Sequence, residues 1–374
     1  MDLTDSPSEA AFRARLQTWL AANVPTEPEP HDLRGRWAYL KAFQRKLYEG
    51  GWVALSYPTE VGGQGLGPLE EAILSQELAR ADAPSILPLG HLGRPFLTHA
   101  TEAQRRRYLP PLLRLDEVWC QGFSEPEAGS DLANLRTRAE PDGDGWRISG
   151  QKVWTSYGIF ADYCLLLART DPESSRHRGI SAFVVPLRAE GVTVRAIVLA
   201  NGDEEFAEIF LDDVAVPADA MIGEPGDGWA IAMSTIAHER GAVDTGYLPK
   251  FERYLNQLVT DLGGDGDAVG EEARRRIGRT AAAIEVLGMH TLRQLSRTAA
   301  GEDLGSSSSI DKLLMTTVEQ ELMATALAGV TDHRSPARSH WFDHYLYARS
   351  ASIYGGSSQI QRNLLAQRVL GLPR

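Results

Sequence analysis

Two stretches decide how this 374-residue chain is read: Ser124-Glu125-Pro126-Glu127-Ala128-Gly129-Ser130-Asp131, and, further on, Gly150-Gln151-Lys152-Val153-Trp154-Thr155-Ser156. The first is a loop by composition, because proline fixes one backbone angle, glycine frees another, and serine and aspartate bond locally to the backbone. The second follows the turn signal Asp142-Gly143-Asp144-Gly145 and the β-prone run Trp146-Arg147-Ile148-Ser149, which predicts a strand leading into it. Apolar runs at Tyr163 to Ala168, Ser181 to Pro186, Val192 to Ile197 and Glu208 to Leu211 extend the β pattern to about residue 222. Residues 118–222 are therefore expected to form a small antiparallel β-domain.

Outside this region the apolar period lengthens from two residues to about 3.6. Ser6-Pro7-Ser8-Glu9 has the spacing of a capping box with proline at the first helical position, and Phe12, Leu16, Trp19 and Leu20 recur at helical intervals over Ala10 to Ala22. Similar patterns at Leu40 to Glu49, Leu69 to Ala81 and Glu102 to Leu113 make residues 1–117 an N-terminal helical domain. After the turn-rich run Gly223 to Gly228, Trp229, Met233 and Ile236 mark one helical face. Further patterns at Glu271 to Leu295 and Ile310 to Leu327 make residues 223–374 a C-terminal four-helix bundle. The fold class read from this order is α+β.

Hydrophobic content of 43% and charged content of 24% are those of an ordinary globular protein, and the length predicts more than one packed unit. The first 25 residues carry no basic region feeding an apolar core, and no apolar run reaches the ~20 residues a membrane helix needs. The expected location is the cytoplasm, with no membrane span. Two cysteines, Cys120 and Cys164, are too few for a disulfide framework and lack metal-ligand spacing, so no metal is expected. A net charge of -12 argues against nucleic-acid binding. No dinucleotide fingerprint stands in a strand-turn-helix context, which argues against a nicotinamide enzyme.

The two opening stretches, with Ile353-Tyr354-Gly355-Gly356-Ser357-Ser358-Gln359-Ile360-Gln361-Arg362 near the end, closely resemble segments of the acyl-CoA dehydrogenase family. The helical, β, helical order resembles that family's architecture over nearly the whole chain. The resemblance implies FAD as cofactor. By position, Phe123 and Ser124 line the flavin ring, Trp154 and Ser156 cover and hydrogen-bond its other side, and Ser357 and Gln359 contact FAD. Ser130 falls where the family contacts the pantetheine or phosphate part of CoA. Glu125 and Asp131 are read as fixing loop and cap geometry.

The reaction so implied is α,β-dehydrogenation of an acyl thioester: a carboxylate removes the α-proton while the β-hydrogen leaves as hydride to flavin. In the commonest version of the family the base is a glutamate in an Ile-Tyr-Glu-Gly-Thr run, where this chain has Gly355. Glycine cannot abstract a proton. Isovaleryl- and long-chain-type members carry the base on an earlier helix directly before an arginine, a position that Glu239 and Arg240 match, with Arg240 as a substrate residue. Glu239 also continues the Trp229, Met233, Ile236 stripe at the three-residue step. Partial desolvation there raises a carboxyl pKa toward the range useful to a base. Gly355 is expected to offer its backbone N–H to the thioester carbonyl, stabilising enolate-like charge.

Two FAD-contacting runs of the family have no counterpart. Where Arg-x-x-Phe-Gly is expected the chain reads Asp261-Leu262-Gly263-Gly264-Asp265-Gly266-Asp267, and where Gln-x-x-Gly-Gly-x-Gly is expected it reads Leu327-Ala328-Gly329-Val330-Thr331-Asp332. Either FAD is held differently within a homotetramer or homodimer, or a related subunit of a heteromer supplies those contacts. Some actinobacterial-style relatives acting on bulky substrates such as steroid side chains are paired in this way, and the chain resembles that branch. Three readings stand: an acyl-CoA dehydrogenase passing electrons to an electron-transferring flavoprotein, a dehydrogenase of an acyl group on an acyl-carrier protein, and a half-site subunit.

Overall fold

The computed structural model describes residues 5–84, 89–174, 176–239, 245–263 and 270–373, the side chains of 89–91 and 237–239 excepted. In chain order its helices are α1 (Pro7–Asn23), α2 (Leu33–Glu49), α3 (Pro68–Arg80), α4 (Leu89–His99), α5 (Glu102–Leu113), α6 (Gly228–Glu239), α7 (Tyr247–Asp261), α8 (Glu271–Ala299), α9 (Ser309–Gly329), α10 (Pro336–Ala348) and α11 (Ser358–Leu364). The strands are β1 (Trp119–Gly122), β2 (Arg138–Asp142), β3 (Gly145–Ser156), β4 (Tyr163–Arg169), β5 (Ile180–Pro186), β6 (Val192–Ile197), β7 (Phe206–Pro217) and β8 (Met221–Ile222). The chain packs as two compact units, one of residues 28–64 and 86–239, the other of residues 1–27, 65–85 and 240–374.

The first unit is built on a sheet ordered β6-β7-β3-β2-β4-β5-β8, with β1 beside β4. The ladders are antiparallel except that β1 runs parallel to β4, and β2 meets β4 in parallel through Arg138 and Arg169. The expected strands are present, several of them longer, while β1, β2 and β8 had no clear sequence signal. β2 is charged, mostly exposed and contains Pro141, so it carries little apolar alternation. Leu165, Leu166, Phe183, Val185, Ile209 and Val214 fill the core between sheet and helices. Trp119 of β1 stacks on Tyr163 and meets Phe96 and Tyr108 edge-on, an aromatic cluster that fixes α4 and α5 against the sheet.

In the second unit, α7 to α10 enclose a core of Leu258, Ile284, Leu287, Leu322, Met323 and Trp341. Trp341 is buried and its indole N–H donates to Asp261 at 2.8 Å, so the polar end of a core aromatic is satisfied. α1 and α3 belong to this unit. The predicted capping box opens α1: Ser6 Oγ accepts from the Glu9 N–H at 3.3 Å and the Ser6 N–H donates to Glu9 Oε2 at 2.7 Å. Glu77 of α3 is tied to Arg13 at 2.6 Å and Gln17 at 2.9 Å on α1. α4, α7 and α10 were not anticipated. Pro95 lies inside α4, and proline is a helix-breaking signal that tertiary packing overrides there.

Candidate functional site

The two motifs are neighbours in space. Glu125 and Ala128 exchange backbone hydrogen bonds at 3.1 Å, closing a tight turn around Pro126 and Glu127. From β3, the Val153 N–H donates to the Ser124 carbonyl at 2.9 Å. One residue earlier, Lys152 is fully buried and its Nζ donates to Glu125 Oε1 at 2.8 Å and the Phe123 carbonyl at 3.2 Å. The Glu125 carboxylate also accepts from the backbone N–H groups of Arg136 at 2.6 Å and Thr137 at 2.9 Å. Glu125 is thus the geometric anchor that its loop position predicts. Burial alone pushes its pKa up, but the Lys152 charge and these donors hold it below the usual glutamate value. Burial likewise lowers the pKa of Lys152, with Glu125 opposing.

Beyond Lys152 the β3–β7 register shifts before Thr155, the mark of a bulge. Lys152 and Thr155 both face the core while Trp154, between them, turns outward with 57% of its surface exposed and a left-handed φ of 60°. An indole in that backbone region is disfavoured by its own Cβ and persists where surrounding bonds impose it. Ser124 and Ser156 are half-buried and Phe123 is buried. Phe206, opposite Ser156 on β7, meets the Trp154 ring edge-on at 6.2 Å. An exposed ring with two half-buried hydroxyl residues is a fit for a planar, hydrogen-bonding ligand.

α6 corrects the phase read from sequence. Its buried positions are Gly228, Ile231, Ala232 and Thr235, whereas Trp229 and Ile236 are half-buried and Met233 is exposed. Glu239, the last residue of α6, falls at the helical position in phase with Ala232 and Thr235. The Glu239 side chain and the whole of Arg240 lie outside the described residues.

In the second unit, Gly355 and Gly356 both take left-handed φ, 59° and 93°, which opens the turn before α11. Ser357 is the N-cap of α11 and accepts from the Ile360 N–H at 3.3 Å. Gln359 is exposed. Gln361 is fully buried and its Nε2 donates to the carbonyls of Gly355 at 3.1 Å and Gly356 at 3.2 Å. The expected inner face of Ile360, Leu364 and Val369 changes here, because a π-helical turn over Leu365–Val369 alters the phase and leaves Val369 47% exposed.

Ser130 is exposed, and next to it Asp131 pairs with Arg176 at 3.7 Å and accepts from Asn134. A cavity of about 660 Å³ opens alongside, lined by Arg136, Arg138, Arg169 and Arg176 with Pro141 and Pro172. Arg169 donates to the carbonyls of Ala133 at 2.7 Å, Arg176 at 3.2 Å and Leu135 at 3.4 Å. Its charge is thereby anchored in the wall. Neither the Lys152–Glu125 pair, nor Gln361, nor the arginine wall was singled out from sequence: the pair and the wall join residues from separate segments, and the Gln361 bonds depend on the left-handed turn at Gly355 and Gly356. Among the described residues no cluster of three or more His, Cys, Asp or Glu could hold a metal, and no helix is long and apolar enough to cross a membrane.

Residues 6–116, 120–214 and 226–370 match, in that order, the N-terminal, middle and C-terminal domains of acyl-CoA dehydrogenase. Acyl-CoA dehydrogenase IpdE1 of Mycobacterium tuberculosis is 38% identical, covering 97% of this chain and 97% of that protein. Among solved structures, the Tcur3481-Tcur3483 steroid ACAD superposes with a TM-score of 0.87 at 28% identity, covering 100% of both chains. The ChsE4-ChsE5 complex from Mycobacterium tuberculosis does so with 0.85 at 28% identity, again over 100% of both. With the helical, β and helical regions in the family's order and all three domains matched, the chain belongs to the acyl-CoA dehydrogenase family of flavoprotein oxidoreductases.

Proposed function

We propose that the chain catalyses α,β-dehydrogenation of an acyl-CoA to the trans-2-enoyl-CoA, with FAD as cofactor and Glu239 as base. The observation that carries this reading is Trp154, exposed on a left-handed bulge and stitched through Val153 to Ser124. Phe123, Ser124, Trp154, Ser156, Ser357 and Gln359 hold the flavin in this reading. When bound, FAD supplies the hydride acceptor. Glu239, at the end of α6, takes the α-proton, and Arg240 contacts the substrate. The Gly355 N–H donates to the thioester carbonyl, where a preorganised donor favours the charge that develops as the proton leaves. Ser130 and the arginine-lined cavity suit the phosphate-bearing end of CoA, since guanidinium groups pair well with phosphate. An electron-transferring flavoprotein is the proposed acceptor.

The names of the relatives favour a bulky substrate: one solved neighbour is a steroid ACAD. A second reading, a half-site subunit of a heteromer, is favoured by the two absent FAD runs and by a neighbour solved as a complex of two different chains. Purification of the chain alone, with FAD counted per chain from the visible spectrum, separates the two. Near-stoichiometric flavin, bleached anaerobically by an acyl-CoA in wild type but not in Glu239→Gln, supports the first reading. A folded, flavin-free chain that takes up FAD only with a related subunit supports the second. Bleaching by acyl-carrier protein in preference to acyl-CoA changes the carrier. Retained bleaching in Glu239→Gln removes Glu239 as base.

A further inference from the structure

We infer that Lys152 and Glu125 are a positioning pair whose task is to set Ser124 and Trp154 for the flavin, an inference that rests on the flavin reading above. A buried ion pair is a poor device for stability alone, because desolvating both charges offsets much of their attraction, and apolar replacements of similar volume are often neutral or better. What this pair adds is geometry. Lys152 Nζ reaches the Phe123 carbonyl at 3.2 Å and Glu125 Oε1 at 2.8 Å, with the Val153–Ser124 backbone bond between them at 2.9 Å. Three successive residues of the loop, 123 to 125, are therefore fastened to two successive residues of β3. Glu125 extends the brace to a third segment through the N–H groups of Arg136 and Thr137.

The bulge follows immediately. Lys152 faces the core as the last residue in register before the shift, and Thr155 is the first after it, so Val153 and Trp154 together stand opposite a single residue of β7, and Trp154 is the one that turns outward. Trp154 is the residue left with a φ of 60°. Gly150 adds a steric condition on the same strand: a Cβ there would meet Thr137 Oγ1 at 2.5 Å, so β3 can lie against the Glu125-bound segment only with glycine at that position. A methionine at 152 would fill the space but leave the Phe123 carbonyl without this donor.

The test uses the full chain labelled with 5-fluorotryptophan, the Trp154 ¹⁹F resonance being assigned by its loss in Trp154→Phe. Lys152→Met leaves a buried unpaired carboxylate and is expected to lower the melting temperature. The Glu125→Gln/Lys152→Met double variant carries no unpaired charge and is expected to regain most of that stability. In the double variant the Trp154 resonance of the flavin-free protein should still shift. Its FAD dissociation constant should rise by roughly tenfold or more, the scale seen when groups that orient a site's ligands are removed. A double variant with wild-type resonance and wild-type FAD affinity overturns the inference. So does one that fails to fold, because the pair is then a plain requirement of the fold. Should the wild-type chain bind no FAD, the flavin reading fails by itself, and the resonance of the flavin-free protein still decides whether the pair sets Trp154.

Discussion

Replacing Gln361 with leucine separates the geometry of the Gly355 turn from the stability of the bundle. The change is nearly volume-conserving and removes the amide that donates to the carbonyls of Gly355 and Gly356 at 3.1 and 3.2 Å. Two such bonds contribute a net ~0.5–1.5 kcal/mol each, so their loss costs about 1–3 kcal/mol. Gln361 Oε1, however, is buried with no hydrogen-bond partner among the described atoms, and removing it recovers a desolvation cost of the same order, about 1–3 kcal/mol. The two terms oppose each other, and the denaturant midpoint should move little. Turnover should not be spared. Without the amide, two consecutive left-handed glycines keep no side-chain brace, and a misplacement of ~1 Å at a catalytic donor can cost on the order of 100-fold. Steady-state kinetics with an acyl-CoA, beside urea unfolding of the same preparation, should show kcat falling far more than stability. An unchanged kcat with an unchanged KM would refute the claim that Gln361 positions Gly355.

The other expectations are brief. Trp154→Gly removes a left-handed residue whose backbone costs about 1–2 kcal/mol, so thermal unfolding of the flavin-free chain should be little affected while FAD titration shows weaker binding. Burial by itself raises Glu77, but Gln17, Arg13 and Arg80 bring it below its ordinary value of 4.5. A depressed folded pKa gives stability that is complete above 4.5 and lost as pH falls through the lowered value, so Glu77→Gln should flatten the acid limb of a melting-temperature profile. Ser6→Ala breaks the capping box of α1 and should cost about 1 kcal/mol in urea unfolding. Arg169→Gln should weaken inhibition by free CoA while sparing a pantetheine thioester. Equal loss for both would remove the cavity from the phosphate role.

Local chemistry was legible from residues alone. The capping box at Ser6, the bounds of α5 and of β6, and the order of helical and β regions follow from side-chain spacing, which the backbone period translates directly into faces. The two opening stretches were legible as a loop and a strand, because loop-forming and strand-forming residues differ in composition. α4, with Pro95 inside it, was missed because propensity counts against it and only packing supports it, whereas α5 was found from its apolar spacing despite Pro110 and Pro111. The phase of α6 was misread for a related reason. Trp229, Met233 and Ile236 are the large apolar residues, yet the small ones, Gly228, Ala232 and Thr235, are those that lie buried with Ile231.

Sequence by itself determined the family, the class of reaction and the candidate base, because these reside in residue identity at fixed spacing. Tertiary structure decided what those residues can do. A lysine in a strand is ordinarily a solvated side chain, and Lys152 became a buried clamp only when β3 crossed beneath Glu125. A tryptophan in a strand is ordinarily core, and Trp154 turned outward only because the ladder slipped beside it. Burial and register belong to pairs of segments distant in the chain, so no single stretch of sequence carries them.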